Sequence, residues 1–263
     1  MTDPNKTVLY EVSEHIATVT IYRPDHYNSL NYAAYKELTE SFQEAVSDED
    51  VRAIIFTGTG KGFCTGDDVK ELLGVGAAEL SRRISSGELE LPSEPMKRSD
   101  KPIIAAVNGA AVGYGMELSL LADIRIASKA ARFSEMFVKR GIVAGADSFE
   151  LLPQIVGVAA AAEILMTGDL VEAEEALRLG LVSKVVPEEQ LLMEARELAR
   201  RITLNPPLAV KAAKVALNLS RRGRREELSS YIGLTLSSLL ASDDHRESAS
   251  AFLERRTPEY KGS

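Results

Sequence analysis

One stretch constrains this chain more than any other: residues 101–123, KPIIAAVNGAAVGYGMELSLLAD. The apolar, β-branched run 103–107 predicts a buried strand, and Asn108-Gly109 is a turn signal. After Gly113 the pattern changes. Met116, Leu118, Leu120 and Leu121 favour helix, which predicts a helix starting near Tyr114. The first N–H groups of a helix lack internal partners and carry partial positive charge, so such an end suits a developing negative oxygen. Glu117, three residues on, falls one turn along the same face. An N–H donor and a carboxylate then flank one small volume, an arrangement suited to proton transfer beside a carbonyl. The same pattern also describes a tightly packed core with no chemistry. Asn108, Glu117 and the glycines at 109, 113 and 115 interrupt the stretch, which argues against a membrane span.

The 263 residues suffice for one large domain or two modest ones. A hydrophobic fraction of 45% with 27% charged residues is that of a globular protein with a sizeable core. The net charge of −8 argues against general nucleic-acid binding, which needs positive charge to neutralise phosphate. The basic cluster Arg221, Arg222, Arg224 and Arg225 is read first as a solvated helix end, with the phosphates of a ligand or RNA as the other readings. Cys64 is the single cysteine and the histidines at 15, 26 and 245 are scattered, so neither a disulfide nor a metal site is expected. The N-terminal MTDPNKTVLY has no apolar signal region, so a cytoplasmic protein is expected.

Strands are predicted at 7–12, 16–22, 53–56, 103–107, 124–127, around Phe133, and at 181–186. In 16–21 the residues of both parities are apolar or β-branched, which predicts a sheet covered on both faces. Asn31 is an N-cap for a helix to about Val46. Residues 58–62 form a Gly-rich turn, 63–68 a loop, and 69–73 a short helix. The segment 74–100 is either a helical lid over a site or an ordinary surface loop. Residues 141–147 are a loop, followed by helices at 149–155, 159–166 and 172–179, the last closed by Gly180. From residue 188 onward the chain is helical. Leu191, Leu192, Ala195, Leu198, Ala199 and Ile202 form one apolar stripe, and further helices are expected at 206–220, 225–241 and 244–255. The layout is a set of βα units followed by an all-helical C-terminal third.

Five segments in order carry a resemblance across nearly the whole chain: RPDHYNSLN (23–31), AIIFTGTGKGFCTGDDVKEL (53–72), the 101–128 stretch, TGDLVEAEEALRLGLVSKVV (167–186) and AFLERRTPEY (251–260). The chain resembles the crotonase superfamily, the enoyl-CoA hydratases and isomerases. The resemblance implies an α/β spiral of repeated ββα units over 1–200 and a C-terminal helical region, 201–263, packing on the core and on neighbouring subunits in a homotrimer or dimer of trimers. It implies an acyl-CoA thioester as substrate, with no metal or redox cofactor. It places the family's two oxyanion-hole N–H groups on Asp67 and Tyr114, where the bulk of Tyr114 narrows the acyl pocket. The Asp67 carboxylate is also suited to capping local N–H groups. The matching CoA- and substrate-binding positions are His26, Tyr27, Gly66, Asp68, Gly113 and Phe137. Cys64 is read as packing, not as a nucleophile.

Hydratases of this family hold water between two glutamates. The first matches Glu117. The second matches Phe137, which cannot transfer a proton. Asp147, in the GIVAGAD loop, is carried as the second catalytic candidate, with a loop cap as its alternative. Glu135 shares a face with residue 137 if the segment is extended, but it is read first as a surface acid. The expected activity is enoyl-CoA hydration or isomerisation. Double-bond migration by one carboxylate, or acyl-CoA binding with weak catalysis, stand as alternatives because of Phe137.

Overall fold

The computed structural model describes residues 6–70, 79, 82, 83, 86, 88 and 90–263. Along the chain come β1 (Val8–Ser13), β2 (Ile16–Ile21), α1 (Tyr32–Ser47), β3 (Ala53–Gly58), β4 (Gly62–Cys64), α2 (Ser93–Arg98), β5 (Ile103–Val107), β6 (Ala110–Val112), α3 (Tyr114–Leu120), β7 (Ile124–Ser128) and β8 (Arg132–Ser134). A 3-10 turn, Met136–Arg140, leads to α4 (Ala146–Val156), α5 (Val158–Thr167), β9 (Val171–Glu172), α6 (Ala173–Arg178) and β10 (Lys184–Val186). Helices α7 (Leu191–Thr203), α8 (Pro207–Arg221), α9 (Arg225–Ala241) and α10 (Asp243–Glu254) complete the chain.

Two sheets organise these elements. The larger has the order β1-β2-β3-β5-β7-β10 and the smaller β4-β6-β8-β9. From β2 onward the larger sheet is parallel. Three times the chain leaves a strand of the larger sheet, turns sharply and lays a short strand in the smaller one: β3 to β4, β5 to β6, and β7 to β8. This is the expected α/β spiral of ββ units, each advancing the two sheets together.

Strand alternation explains why both faces are covered. Ile54, Phe56, Ile103, Ala105 and Val107 join the main core, while Ala53, Ile55, Ile104, Ala106 and Ile126 face the opposite way. Leu191, Ala195 and Ala199 of α7 close that second face. Leu192, expected in the same stripe, is 44% exposed. One turn of helix cannot aim both residues of the 191–192 pair inward, and the sheet takes Leu191. On the first face, Phe56 meets Phe42 of α1 and Phe63 of β4 in edge-on contacts, with centroids 5.2 and 4.8 Å away. Helix α1 starts where expected because the Asn31 side chain accepts the Ala34 N–H at 3.0 Å. The helical C-terminal region is tied to the spiral by buried cations. Lys214 donates to the Lys101 carbonyl at 2.7 Å and pairs with Asp123 at 2.9 Å.

Several expectations change. Residues 62–64 form β4, inside the region read as turn and loop, because β6 offers a parallel partner. Asp147 is not in a loop but in the first turn of α4. The last strand keeps only 184–186, since the Leu181 and Val182 N–H groups both donate to Ala176 at the end of α6. Most of the short helix at 69–73, and the lid read over 74–100 apart from α2 and a few residues, lie outside the described residues. Among the described residues no helix is long and apolar enough to cross a membrane.

The Phe42–Phe56–Phe63 contact locks α1, β3 and β4 together. Phe56→Ala is expected to cost about 3–5 kcal/mol, read as a lowered denaturation midpoint in urea with an unchanged slope.

Candidate active site

The site grows from the junction of β6 and α3. Gly113 adopts φ +57° there, a left-handed conformation open to glycine, and donates its N–H to the Ser134 carbonyl at 2.8 Å. The Tyr114 N–H then opens α3 without an internal partner. The helix starts hard against β4. A Cβ on Gly115 would stand 1.9 Å from the Cys64 carbonyl oxygen, so no other residue fits. Two residues beyond Cys64, the Cβ position of Gly66 lies 3.4 Å from the Tyr114 nitrogen. The Asp67 N–H also donates to nothing among the described residues: across the bridge to Leu30 the bonds are made by its neighbours, Gly66 accepting and Asp68 donating. Two uncommitted N–H groups, on Asp67 and Tyr114, therefore sit on adjoining turns.

Side chains around this pair are firmly held. The Asp67 carboxylate does not cap local backbone; it accepts the Tyr35 hydroxyl at 2.5 Å. Tyr35 stacks on the Tyr114 ring at 5.7 Å. Burial raises the Tyr35 pKa well above its usual value, with the Asp67 charge adding to it, so Tyr35 remains a neutral donor. Burial likewise pushes the Cys64 thiol up to about 12, which leaves it a packing group.

Glu117, one turn into α3, is 5% exposed. Its Oε2 accepts the Gly145 N–H at 3.1 Å and the Ser148 hydroxyl at 3.0 Å. Both donors lie at the start of α4, and that helix end also favours negative charge. Desolvation is the largest influence on the Glu117 pKa and raises it. Ser148, the Gly145 N–H and the Lys97 charge oppose this, and the Asp147 charge reinforces it. Asp147 is itself engaged: its carboxylate receives Lys97 Nζ at 3.2 Å, and Lys97 is also held by Glu94 at 2.6 Å.

The remaining candidates divide into two groups. Phe137 does reach the site, its ring 3.7 Å from where a Cβ on Gly113 would stand. Glu135 is no surface acid: it is 1% exposed, because β8 pairs with β6 and carries it in beside the turn at Gly113. The loop of His26 and Tyr27 sits farther out. Tyr27 is 54% exposed, and His26 Nδ1 is 3.9 Å from Asp68. Asp68 pairs with the buried Arg23 at 3.0 Å and so anchors that loop to the turn at Gly66–Asp67. Gly145, Ser148 and Lys97 were not anticipated from sequence. Gly145 lies in the 141–147 segment already singled out and Ser148 one residue beyond it, but their significance depends on a contact with residue 117.

The family model for enoyl-CoA hydratase/isomerase matches residues 11–263. The chain is 40% identical to the (E)-benzylidenesuccinyl-CoA hydratase of Thauera aromatica, over 97% of this chain and 99% of that one. It is 35% identical to the short-chain-enoyl-CoA hydratase of Clostridium acetobutylicum, over 95% of both. Among solved structures, the enoyl-CoA hydratase of Bacillus anthracis superposes with a TM-score of 0.92 at 32% identity, covering 98% of this chain and 100% of that one.

Gly145 has φ −68° and ψ 164°, which alanine tolerates, but an added Cβ would stand 2.5 Å from Glu117 Oε2. Gly145→Ala is therefore expected to fold and to displace the carboxylate. Thermal melting should shift little, while turnover of a short 2-enoyl-CoA should fall about a hundredfold.

Proposed function

The chain belongs to the enoyl-CoA hydratase/isomerase family, and from that premise we propose that it hydrates a 2-enoyl-CoA thioester, with Glu117 as the proton-transfer group. The observation that carries this reading is the buried Glu117 carboxylate, fixed by Gly145 and Ser148 one helical turn from two uncommitted N–H groups. The thioester oxygen sits between the Asp67 and Tyr114 N–H groups. Glu117 takes a proton from water as the oxygen of that water bonds to the β carbon. The C=C electrons move toward the thioester, and the enolate oxygen gains charge where the two dipoles await it. Glu117 then returns the proton to the α carbon. One carboxylate closes the cycle, so the scheme needs no second glutamate at Phe137, and no metal or redox group enters it.

The names of the two relatives described above, both hydratases of CoA thioesters, support water addition over other chemistry. Phe137 favours a second reading, migration of the double bond, because it puts an apolar ring where the family's hydratases hold water. The same Glu117 would remove a proton at one carbon and return it at another. In either case Gly66 and Gly113 shape the turns, Tyr114 and Phe137 wall the acyl pocket, and His26 and Tyr27 line the outer approach of the CoA moiety. Asp68 acts by holding that outer loop, and Asp147 by tempering the charge of Lys97. A homotrimer or dimer of trimers is supported by apolar side chains left exposed on α9 and α10, including Leu234, Phe252 and Leu253 at 78%, 83% and 80%. The cytoplasmic setting expected from the sequence belongs to this proposal.

Glu117→Gln is expected to lower hydration of a short 2-enoyl-CoA by about 10²–10⁴-fold with KM little changed. Retained hydration would overturn the assignment. Isomerisation of the 3-enoyl ester without hydration in the wild type would select the second reading. The base works only when ionised, so activity falls as pH drops through the raised Glu117 pKa. Lys97→Met removes a charge that lowers that pKa and frees the Asp147 charge that raises it. The acid limb of the kcat/KM profile should therefore move to higher pH.

A further inference from the structure

Glu135 has no part in the scheme above, yet it is among the most deeply buried ionisable groups near the site. Neither of its carboxyl oxygens has a hydrogen-bond partner of ordinary geometry among the described residues. An unpaired carboxylate is not stable in such a place, whereas a neutral carboxylic acid is tolerated and brings a donor of its own. Ser148, held by Glu117, also bears on Glu135, where it works against the effect of burial. Ser148 has one hydrogen and spends it on Glu117, so what it has left for Glu135 is a lone pair.

We propose that Glu135 is a positioning residue of this site: as a neutral acid it donates to Ser148, which directs the serine hydrogen onto Glu117, and the three groups hold one proton in common. The proposal rests on the reading of Glu117 as the proton-transfer group. The charges around the cluster agree with it. Lys97 of α2 and the Gly145 N–H at the start of α4 stabilise a charged Glu117, and Asp147 opposes it less strongly than Ser148 supports it. Lys139 and Arg140, on Glu135's own 3-10 turn, are exposed, as is Glu163 on the neighbouring α5, and Lys139 is paired with Asp169 at 2.6 Å. Of these charges only Glu117 acts on Glu135. Burial, opposed by Ser148 and reinforced by the Glu117 charge, raises the Glu135 carboxyl to about 7. The two carboxyls titrate as a pair, and the donors and cation around Glu117 put the shared proton on Glu135. As pH rises through about 7 Glu135 ionises. Ser148 then loses its donor, and a second negative charge faces Glu117.

The test is the pH dependence of kcat in wild type and Glu135→Gln, whose amide still offers Ser148 an N–H but does not titrate. The wild type should show kcat declining above an apparent pKa near 7. Glu135→Gln should lose that limb, with KM within about twofold and kcat below neutrality within about threefold of wild type. The same limb persisting in Glu135→Gln would overturn the proposal, since a residue needed only for packing would leave the profile in place. Infrared difference spectra of the substrate-free wild type give a readout independent of turnover. A protonated-carboxyl C=O band should fade through the same pH range and be missing in Glu135→Gln. No such band in the wild type would overturn the shared proton, even if the variant failed to fold. A band present in a protein that turns over no enoyl-CoA would overturn the reading of Glu117's substrate and leave the proton cluster standing.

Discussion

The first turn of α3 lies against the carbonyl of Cys64 with no side chain between them, and the site depends on that approach. At Gly115 the two backbones are so close that a Cβ would overlap the carbonyl oxygen, at 1.9 Å. This contact brings the turn at Gly66–Asp67 beside the start of the helix, so that two N–H groups separated by 47 residues in sequence stand on adjoining turns. Backbone dipoles held this way do not reorganise when charge develops before them, which is the physical basis of the enolate-stabilising role proposed for them. The spiral of two sheets makes the contact possible. Strand β4 and strand β6 are neighbours in the smaller sheet, and each is followed by one of the two turns.

The second constraint is electrostatic. Glu117 is buried enough for desolvation to dominate its pKa, yet two donors favour its ionised form. Around it charge is graded. Lys97 and Asp147 form a partly screened pair at the edge of the site, and Glu135 lies inside with no counter-charge among the described residues. Two carboxyls near one hydroxyl cannot both ionise cheaply. A site of this kind distributes one proton among fixed positions, and a phenyl ring at residue 137 need not then leave Glu117 acting alone.

The fold was largely legible from local pattern. The run over Ile103–Val107, the turn at Asn108 and the helix from Tyr114 were visible because β-branching, turn chemistry and helix propensity act over a few residues. Asn31 marked the start of α1 for the same reason. Short strands were harder to see. Residues 62–64 carry too few positions to show a period of two, and they are a strand only because β6 supplies a partner. Leu192 fits the apolar stripe of α7 by spacing, yet only Leu191 meets the sheet.

The sequence by itself determined the order of ββ and helical units, the family, and the two ingredients of the site that belong to one helix: the free N–H of Tyr114 and the carboxylate of Glu117. Tertiary structure alone decided how that carboxylate is held and with whom it shares charge. Its two donors come from 28 and 31 residues away, and which face of α4 meets it determines that Ser148 approaches while its neighbour Asp147 turns to Lys97. Burial decided the rest. Glu135 looks like any surface acid in the sequence, and its carboxyl is pushed up to about 7 only because β8 carries it into the interior, where no cation among the described residues acts on it.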